Sequence, residues 1–258
     1  MAKPAGSACN LDCAYCFYLS KRVLPGGPGS GHMPDEVLER FVKDYIDSVT
    51  SDEVVFSWQG GEPTLLGLEF FEKVVTLQAK HAKPGQRIEN DLQTNGTLLD
   101  DDWARFLKQQ RFLVGLSIDG PREIHDHCRI TKHAEPTFDQ VFAAAKMLQK
   151  HGVRFNTLTC VHRYNASRPL DVYRFLRREI GSTYIQFIPI VEIRGFENMA
   201  PGTWDEAKLP MLGDPRCHPD HPESVVTPWS VAAEEYGYFL SKIWDEWQSR
   251  DVGKVLIN

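Results

Sequence analysis

Glu53-Val54-Val55-Phe56-Ser57-Trp58-Gln59-Gly60-Gly61-Glu62-Pro63 opens as a run of β-branched and aromatic residues and stops at a pair of glycines. It reads as a strand over Glu53–Trp58 that ends in a tight, polar loop. Upstream, the breaker cluster Pro25-Gly26-Gly27-Pro28-Gly29-Ser30-Gly31 precedes Pro34, Asp35 and Glu36, which have the composition of a first helical turn. Leu38, Phe41, Val42, Tyr45, Ile46 and Val49 then recur at helical spacing. Downstream the alternation repeats, with helix over Phe70–His81 and strand over Arg87–Gln93. A helix capped by Asp100 follows, carrying Trp103, Phe106 and Leu107. Phe112–Ile118 reads as a buried strand, Phe138–His151 as a helix closed by Gly152, and Val153–Val161 as a strand. A helix over Leu170–Ile180 stopped by Gly181 and a strand over Tyr184–Ile190 complete the rhythm. Strands alternating with helices of this length imply right-handed βαβ units and a parallel sheet.

From about Val191 to Thr227 the prolines at 201, 210, 215, 219 and 222 break that pattern, and a further helix is expected over Pro228–Arg250. The expected organisation is a core over 1–192, an irregular insertion over 193–227 and a C-terminal helical segment over 228–258. With 258 residues, 42% hydrophobic and 25% charged, the composition is that of a globular chain. The net charge of −6 argues against a general binder of phosphate backbones, so nucleic acid is not expected as a partner. Met1-Ala2-Lys3-Pro4 has no apolar signal region and no stretch reaches the length of a membrane span, so the expected location is the cytoplasm and no membrane partner is expected.

Three of the six cysteines, Cys9, Cys13 and Cys16, fall within eight residues, while Cys128, Cys160 and Cys217 are scattered. Such clustering points to metal or redox chemistry in a reducing compartment. Structural zinc and ordinary ferredoxin-type clusters take four protein ligands. Three cysteines on a four-iron cubane leave one iron open for a substrate or cofactor. The rival is zinc, completed by Cys217, His218 or His221. Gly60-Gly61-Glu62-Pro63, Gln93-Thr94-Asn95-Gly96 and Ser117-Ile118-Asp119-Gly120 each follow a strand, where α/β folds place their sites. Each alone is a turn; three of them beside an open cysteine triad make a pocket the better account.

Cys9-x3-Cys13-x-Tyr15-Cys16 together with Gly60-Gly61-Glu62-Pro63 resembles the radical S-adenosylmethionine enzymes. The match narrows through Ala2-Lys3-Pro4, Cys9-Asn10-Leu11-Asp12-Cys13-Ala14-Tyr15-Cys16-Phe17-Tyr18-Leu19, Trp58–Thr64, Gln93–Leu99, Ser117–Pro121 with His125, Asp126 and Arg129, and Gln186-Phe187-Ile188-Pro189. These stretches, between Ala2 and about Glu192, resemble the anaerobic sulfatase-maturating enzymes. The resemblance implies an α/β fold, a partial (β/α)6 barrel with a parallel sheet. It also implies a [4Fe-4S] cluster on Cys9, Cys13 and Cys16, with S-adenosylmethionine on the open iron.

By the same resemblance the backbone of Tyr15 faces adenine, Gly60 and Gly61 let the main chain approach the methionine moiety, and Glu62 shapes that strand end. Ser117 reaches a ribose hydroxyl, Arg129 the carboxylate, and Ile188 and Val191 pack on adenine; Asn95 is a further cofactor candidate. Plain alternatives stand beside these: Arg129 pairing with Asp126, Ser117 bonding its own backbone, Asn95 as a turn residue. Tyr18 and Gln59 are the candidates for peptide contacts. The implied substrate is a sulfatase polypeptide whose active-site cysteine or serine is oxidised to Cα-formylglycine through a 5′-deoxyadenosyl radical. A flavodoxin- or ferredoxin-like protein is the implied electron donor. Relatives carry a further cysteine-rich domain with two auxiliary clusters and the proton-accepting aspartate. This chain is therefore expected to be a radical core alone, its general base lying beyond Asn258. Two alternatives remain: another peptide-modifying maturase of the same chemistry, forming thioethers or quinone-cofactor precursors, and a non-catalytic zinc-binding module.

Overall fold

The structure, a computed structural model, describes residues 1–18, 32–195, 210–211 and 213–258; the breaker cluster at 25–31 lies outside the described residues. Along the chain run α1 (Asp35–Ser48), β1 (Glu53–Trp58), α2 (Leu68–His81), β2 (Arg87–Thr94), α3 (Asp101–Gln109), β3 (Leu113–Ser117) and α4 (Arg122–Cys128). They continue through α5 (Phe138–His151), β4 (Arg154–Val161), α6 (Arg163–Ala166), α7 (Pro169–Arg174), β5 (Tyr184–Pro189), α8 (Ala233–Arg250) and β6 (Leu256–Ile257). Among the described residues the sheet has six strands in chain order. Among the described residues the chain packs as two compact units, 1–10 with 32–116 and 143–155, and 11–18 with 117–142, 156–195, 210–211 and 213–258.

In the first unit β1 runs parallel to β2 from Glu53↔Arg87 to Trp58↔Leu92, and β2 parallel to β3 from Asp91↔Leu113 to Thr94↔Leu116. The alternation of β1 turns Val54, Phe56 and Trp58 inward. Trp58 lies 5.9 Å from Phe71 and Phe71 lies 5.4 Å from Trp103, ring to ring, the edge-on geometry that aromatic quadrupoles favour. Burying an indole N–H requires an acceptor. Asn90 supplies it at 2.8 Å and is itself held by reciprocal bonds with Gln78. As expected, Asp100 caps α3, its carboxylate accepting from the Trp103 N–H at 2.9 Å. Ala2 forms a parallel bridge to Trp58, so the chain enters the cysteine loop alongside the end of β1.

In the second unit β4 pairs with β5 from Thr157↔Ile185 to Val161↔Pro189, and β5 with β6 through Tyr184↔Leu256 and Ile185↔Ile257, all parallel. Phe187 packs on Phe239 of α8 at 5.1 Å between ring centres. The Tyr173 hydroxyl donates to Asp251 at 2.8 Å.

Three features differ from the sequence expectation. The helix expected from Pro228 begins only at Ala233, because Val231 N–H bonds the Ile190 carbonyl and Ser230 Oγ accepts from Glu192 N–H, holding that stretch against residues 190–192. The helix expected over Leu170–Ile180 is α7 followed by a π-helical turn, Phe175–Glu179, ending at Gly181 with φ 71°. The short helices α4 and α6 and the two-residue β6 were not expected, since segments of two to seven residues carry too few periodic positions to be seen. Among the described residues no helix is long and apolar enough to cross a membrane.

Candidate functional site

The loop after β1 is built around close approach and a buried carboxylate. A Cβ on Gly61 would lie 2.0 Å from the Ala8 carbonyl oxygen, and one on Gly60, at φ 129°, would lie 2.8 Å from that of Gly6. The chain leading into Cys9 therefore lies directly on the two glycines, tied by Gly61 N–H to Gly6 O and Glu62 N–H to Ala8 O. The group these glycines are seen to admit is the backbone of residues 6–8. Glu62 is fully buried. Its Oε1 accepts from Thr64 N–H, Thr64 Oγ1 and Thr94 Oγ1, and its Oε2 from Asn95 N–H at 2.6 Å. Burial pushes the Glu62 carboxyl above its ordinary range, and these hydrogen bonds oppose that shift. Glu62 thus joins the ends of β1 and β2.

Asn95 belongs to the same construction. Its Oδ1 accepts from Thr97 N–H and Thr97 Oγ1, and its Nδ2 donates to Asn10 Oδ1 at 2.9 Å and to the Cys9 sulfur at 3.8 Å. It is both a turn residue and a support for the cysteine loop, and its side-chain amide is fully occupied by protein partners.

In the second unit α4 places His125 and Arg129 four residues apart on one buried face. Arg129 does not pair with Asp126, which instead accepts from Thr137 N–H and Phe138 N–H. Its Nη1 donates to the Tyr15 hydroxyl at 2.9 Å, and that hydroxyl donates to Asp119. Asp119 also accepts from Cys160 N–H at 3.1 Å. Burial holds the Tyr15 phenol well above its usual range, so it bridges carboxylate and guanidinium as a neutral group. Arg129 is only 7% exposed, and its Nε has no partner among the described residues. A buried cationic N–H left open is the position a ligand carboxylate would fill.

Behind Tyr15 the His162 ring stacks at 5.5 Å, fully buried, with Nε2 4.0 Å from Asp119 and neither ring nitrogen hydrogen-bonded among the described residues. Burial lowers its pKa, keeping it neutral. Asp119, His162 and Asn165, which bonds the Cys160 carbonyl at 2.9 Å, were not singled out from the sequence. His162 follows β4 directly, and the strand-end rule applied to the other loops would have found it. Cys128 is buried and Cys160 half-buried, and desolvation pushes both thiols up, Cys128 to about 12.

The remaining positions are less constrained. Ser117 ends β3 half-buried, with no side-chain hydrogen bond to any described residue, so the alternative of a bond to its own backbone does not hold. Ile188 is half-buried on β5 and Val191 is 59% exposed. Tyr18 is half-buried with its ring 4.1 Å from that of Phe17, and Gln59 is half-buried with its N–H on Ala2 O. Cys9, Cys13 and Cys16 are in no disulfide. Among the described residues no three His, Cys, Asp or Glu side chains form a ready-made metal cage. Cys217 is exposed, His218 faces Glu234 at 3.1 Å, and His221 Nδ1 accepts from Glu223 N–H at 3.1 Å.

The model of the Radical SAM superfamily matches residues 4–176. The serine-type anaerobic sulfatase-maturating enzyme of Bacteroides thetaiotaomicron is 42% identical over 257 residues, covering all of this chain and 59% of the relative. A cysteine-type anaerobic sulfatase-maturating enzyme of Clostridium perfringens is 45% identical over 214 residues, covering 81% of this chain and 57% of the relative. The solved structure of native anSMEcpe with bound AdoMet and a Kp18Cys peptide superposes with a TM-score of 0.79 at 36% identity, over 99% of this chain and 62% of that one. These matches bear out the expected fold class. The chain spans less than two thirds of the length of these relatives.

Proposed function

Because the chain belongs to the Radical SAM superfamily, whose cofactors are a [4Fe-4S] cluster and S-adenosylmethionine, we propose that it is the radical core of an anaerobic sulfatase-maturating enzyme. The reaction proposed is oxidation of an active-site cysteine or serine of a sulfatase polypeptide to Cα-formylglycine. The observation that carries the reading is Arg129: a buried guanidinium, anchored through the Tyr15 hydroxyl of the cysteine loop, with its Nε open. The residues present fit both groups. Three soft thiols on one short loop suit iron, and the Arg129 Nε–H and Ser117 hydroxyl, neither with a partner among the described residues, suit a carboxylate and a ribose.

In this reading Cys9, Cys13 and Cys16 hold the cluster, which together with S-adenosylmethionine supplies the 5′-deoxyadenosyl radical. Arg129 orients the carboxylate, Ser117 the ribose, and Tyr15, Ile188 and Val191 the adenine. Gly60, Gly61 and Glu62 hold the cysteine loop at the strand ends, and Tyr18 and Gln59 meet the peptide. Residues 1–192 form this core, 193–227 an insertion and 228–258 a C-terminal helical segment. The protein works in the cytoplasm and takes its electron from a flavodoxin- or ferredoxin-like protein. The relatives' names support the substrate class, through the serine- and cysteine-type sulfatase maturases.

The test is anaerobic reconstitution with iron and sulfide, followed by reductant, S-adenosylmethionine and a peptide bearing a sulfatase active-site sequence. Release of 5′-deoxyadenosine, abolished in Cys13→Ala, is the expected result, and a peptide mass change to formylglycine identifies the reaction. Retained cleavage in Cys13→Ala would sink the cluster assignment. Zinc in place of iron would return the protein to a binding role.

A further inference from the structure

We propose that Asn95 is a positioning residue that donates an N–H to the sulfur of Cys9 and thereby sets the reduction potential of the cluster held there; this rests on the reading of Cys9 as a cluster ligand. The direction of that amide is dictated by its surroundings. Thr97 presents two donors, its N–H at 3.0 Å and its hydroxyl at 2.7 Å, and both point at Asn95 Oδ1. A flipped amide would set NH2 against the Thr97 N–H, so Nδ2 must face the other way, toward Asn10 Oδ1 and Cys9 Sγ.

The arrangement is also rigid. Asn10 Nδ2 donates back to Thr97 Oγ1 at 2.8 Å, closing a ring of three side chains, Asn95 to Asn10 to Thr97 and back. The backbone of Asn95 is fixed independently by Glu62, and the residue is 5% exposed. A ring in which every member is satisfied holds its geometry better than any single bond would. Toward the Cys9 sulfur the ring presents the Asn95 N–H as a donor at 3.8 Å, with the Asn10 Oδ1 acceptor also 3.9 Å away.

The consequence follows from electrostatics. Reduction adds negative charge to a cluster and its thiolates, so a donor on a ligand sulfur favours the reduced form, and hydrogen bonds to sulfur are a principal control of cluster potential. Removing the donor moves the potential to more negative values and makes reduction harder.

The experiment compares wild type, Asn95→Ala and Asn10→Ala, each reconstituted anaerobically, assayed for iron and sulfide, and titrated potentiometrically with the reduced cluster read by electron paramagnetic resonance. Asn95→Ala is expected to shift the midpoint negative by a change of about tenfold in the reduction equilibrium, about 59 mV for one electron. Asn10→Ala loosens the same loop and keeps the donor, and is expected to shift the midpoint by much less. If Asn95→Ala takes up no cluster, Asn95→Asp, which keeps the acceptor facing Thr97 and removes the donor, takes its place with a negative shift at least as large. An unshifted midpoint in a loaded Asn95 variant, or equal shifts in the Asn95 and Asn10 variants, overturns this inference and leaves the proposed function standing. Failure of the wild type to take up iron and sulfide overturns both.

Discussion

Glu62, just past β1, and Arg129, at the end of α4, are both buried charged residues, yet Glu62 receives four hydrogen bonds from its neighbours whereas the Arg129 side chain gives one and keeps an N–H without a described partner. Around Glu62 the polar groups are spent on the protein itself, binding the ends of β1 and β2 to the lead-in of the cysteine loop. Around Arg129, Tyr15 and His162, buried polar atoms are left over. Buried polar atoms are nearly always paired in a folded protein, so a leftover set marks where something else binds. On the proposed function the first region is scaffold and the second is receptor, and substitutions in them should separate stability from affinity.

Glu62→Ala gives the largest effect. It strands the donors of Thr64, Thr94 and Asn95 in a buried site and is expected to cost about 4 kcal/mol of unfolding free energy, read from chemical denaturation. Arg129→Met should instead weaken S-adenosylmethionine binding to the reconstituted protein about tenfold to a hundredfold in titration calorimetry, the loss of one charge-assisted contact, at unchanged iron content. If Glu62→Ala left stability intact while abolishing binding, the division of labour would be reversed.

The pH dependence sharpens the same contrast. His125 is fully buried, with Nδ1 accepting from Asp119 N–H and Nε2 donating to Thr137 Oγ1, whose own proton goes to the Arg129 carbonyl. Both nitrogens are matched only in the neutral ring, and burial lowers the pKa to about 3. The unfolded chain takes up a proton near pH 6.5 that the folded one refuses. This contribution to stability is therefore complete above that pH and is lost at about 1.4 kcal/mol per unit as pH falls toward 3. Urea midpoints at descending pH should show this slope, and His125→Gln should flatten it. The smallest effect is that of Ser117→Ala. With no side-chain bond inside the described protein to lose, it should stay within about 0.5 kcal/mol of wild-type stability while lowering S-adenosylmethionine affinity severalfold.

How much of this was legible in the sequence follows the same line. The strand over Glu53–Trp58, the helix over Phe138–His151 and the Asp100 cap are local patterns, and they stand where their residues put them. The glycine pair was visible as a need for close approach, although the backbone seen to approach is that of residues 6–8. Asp119 was quoted as part of a turn and proves to be the acceptor for Tyr15, a partner 104 positions away. The Asn95, Asn10 and Thr97 ring likewise joins residues 85 and 87 positions apart, a distance over which no periodicity reports. Helix α4, seven residues long, sets Arg129 inward, and nothing in its own sequence distinguishes that from a surface pair with Asp126.

The division between scaffold and receptor is tested most directly by a crystal structure of the reconstituted protein with S-adenosylmethionine, obtained without oxygen. The account predicts the ligand carboxylate within hydrogen-bond distance of Arg129 Nε, with the partners of Glu62 and Asn95 as they are now. A carboxylate bound elsewhere, with Arg129 still holding Tyr15 alone, or a ligand that displaces Thr94 or Asn95 from Glu62, would contradict it.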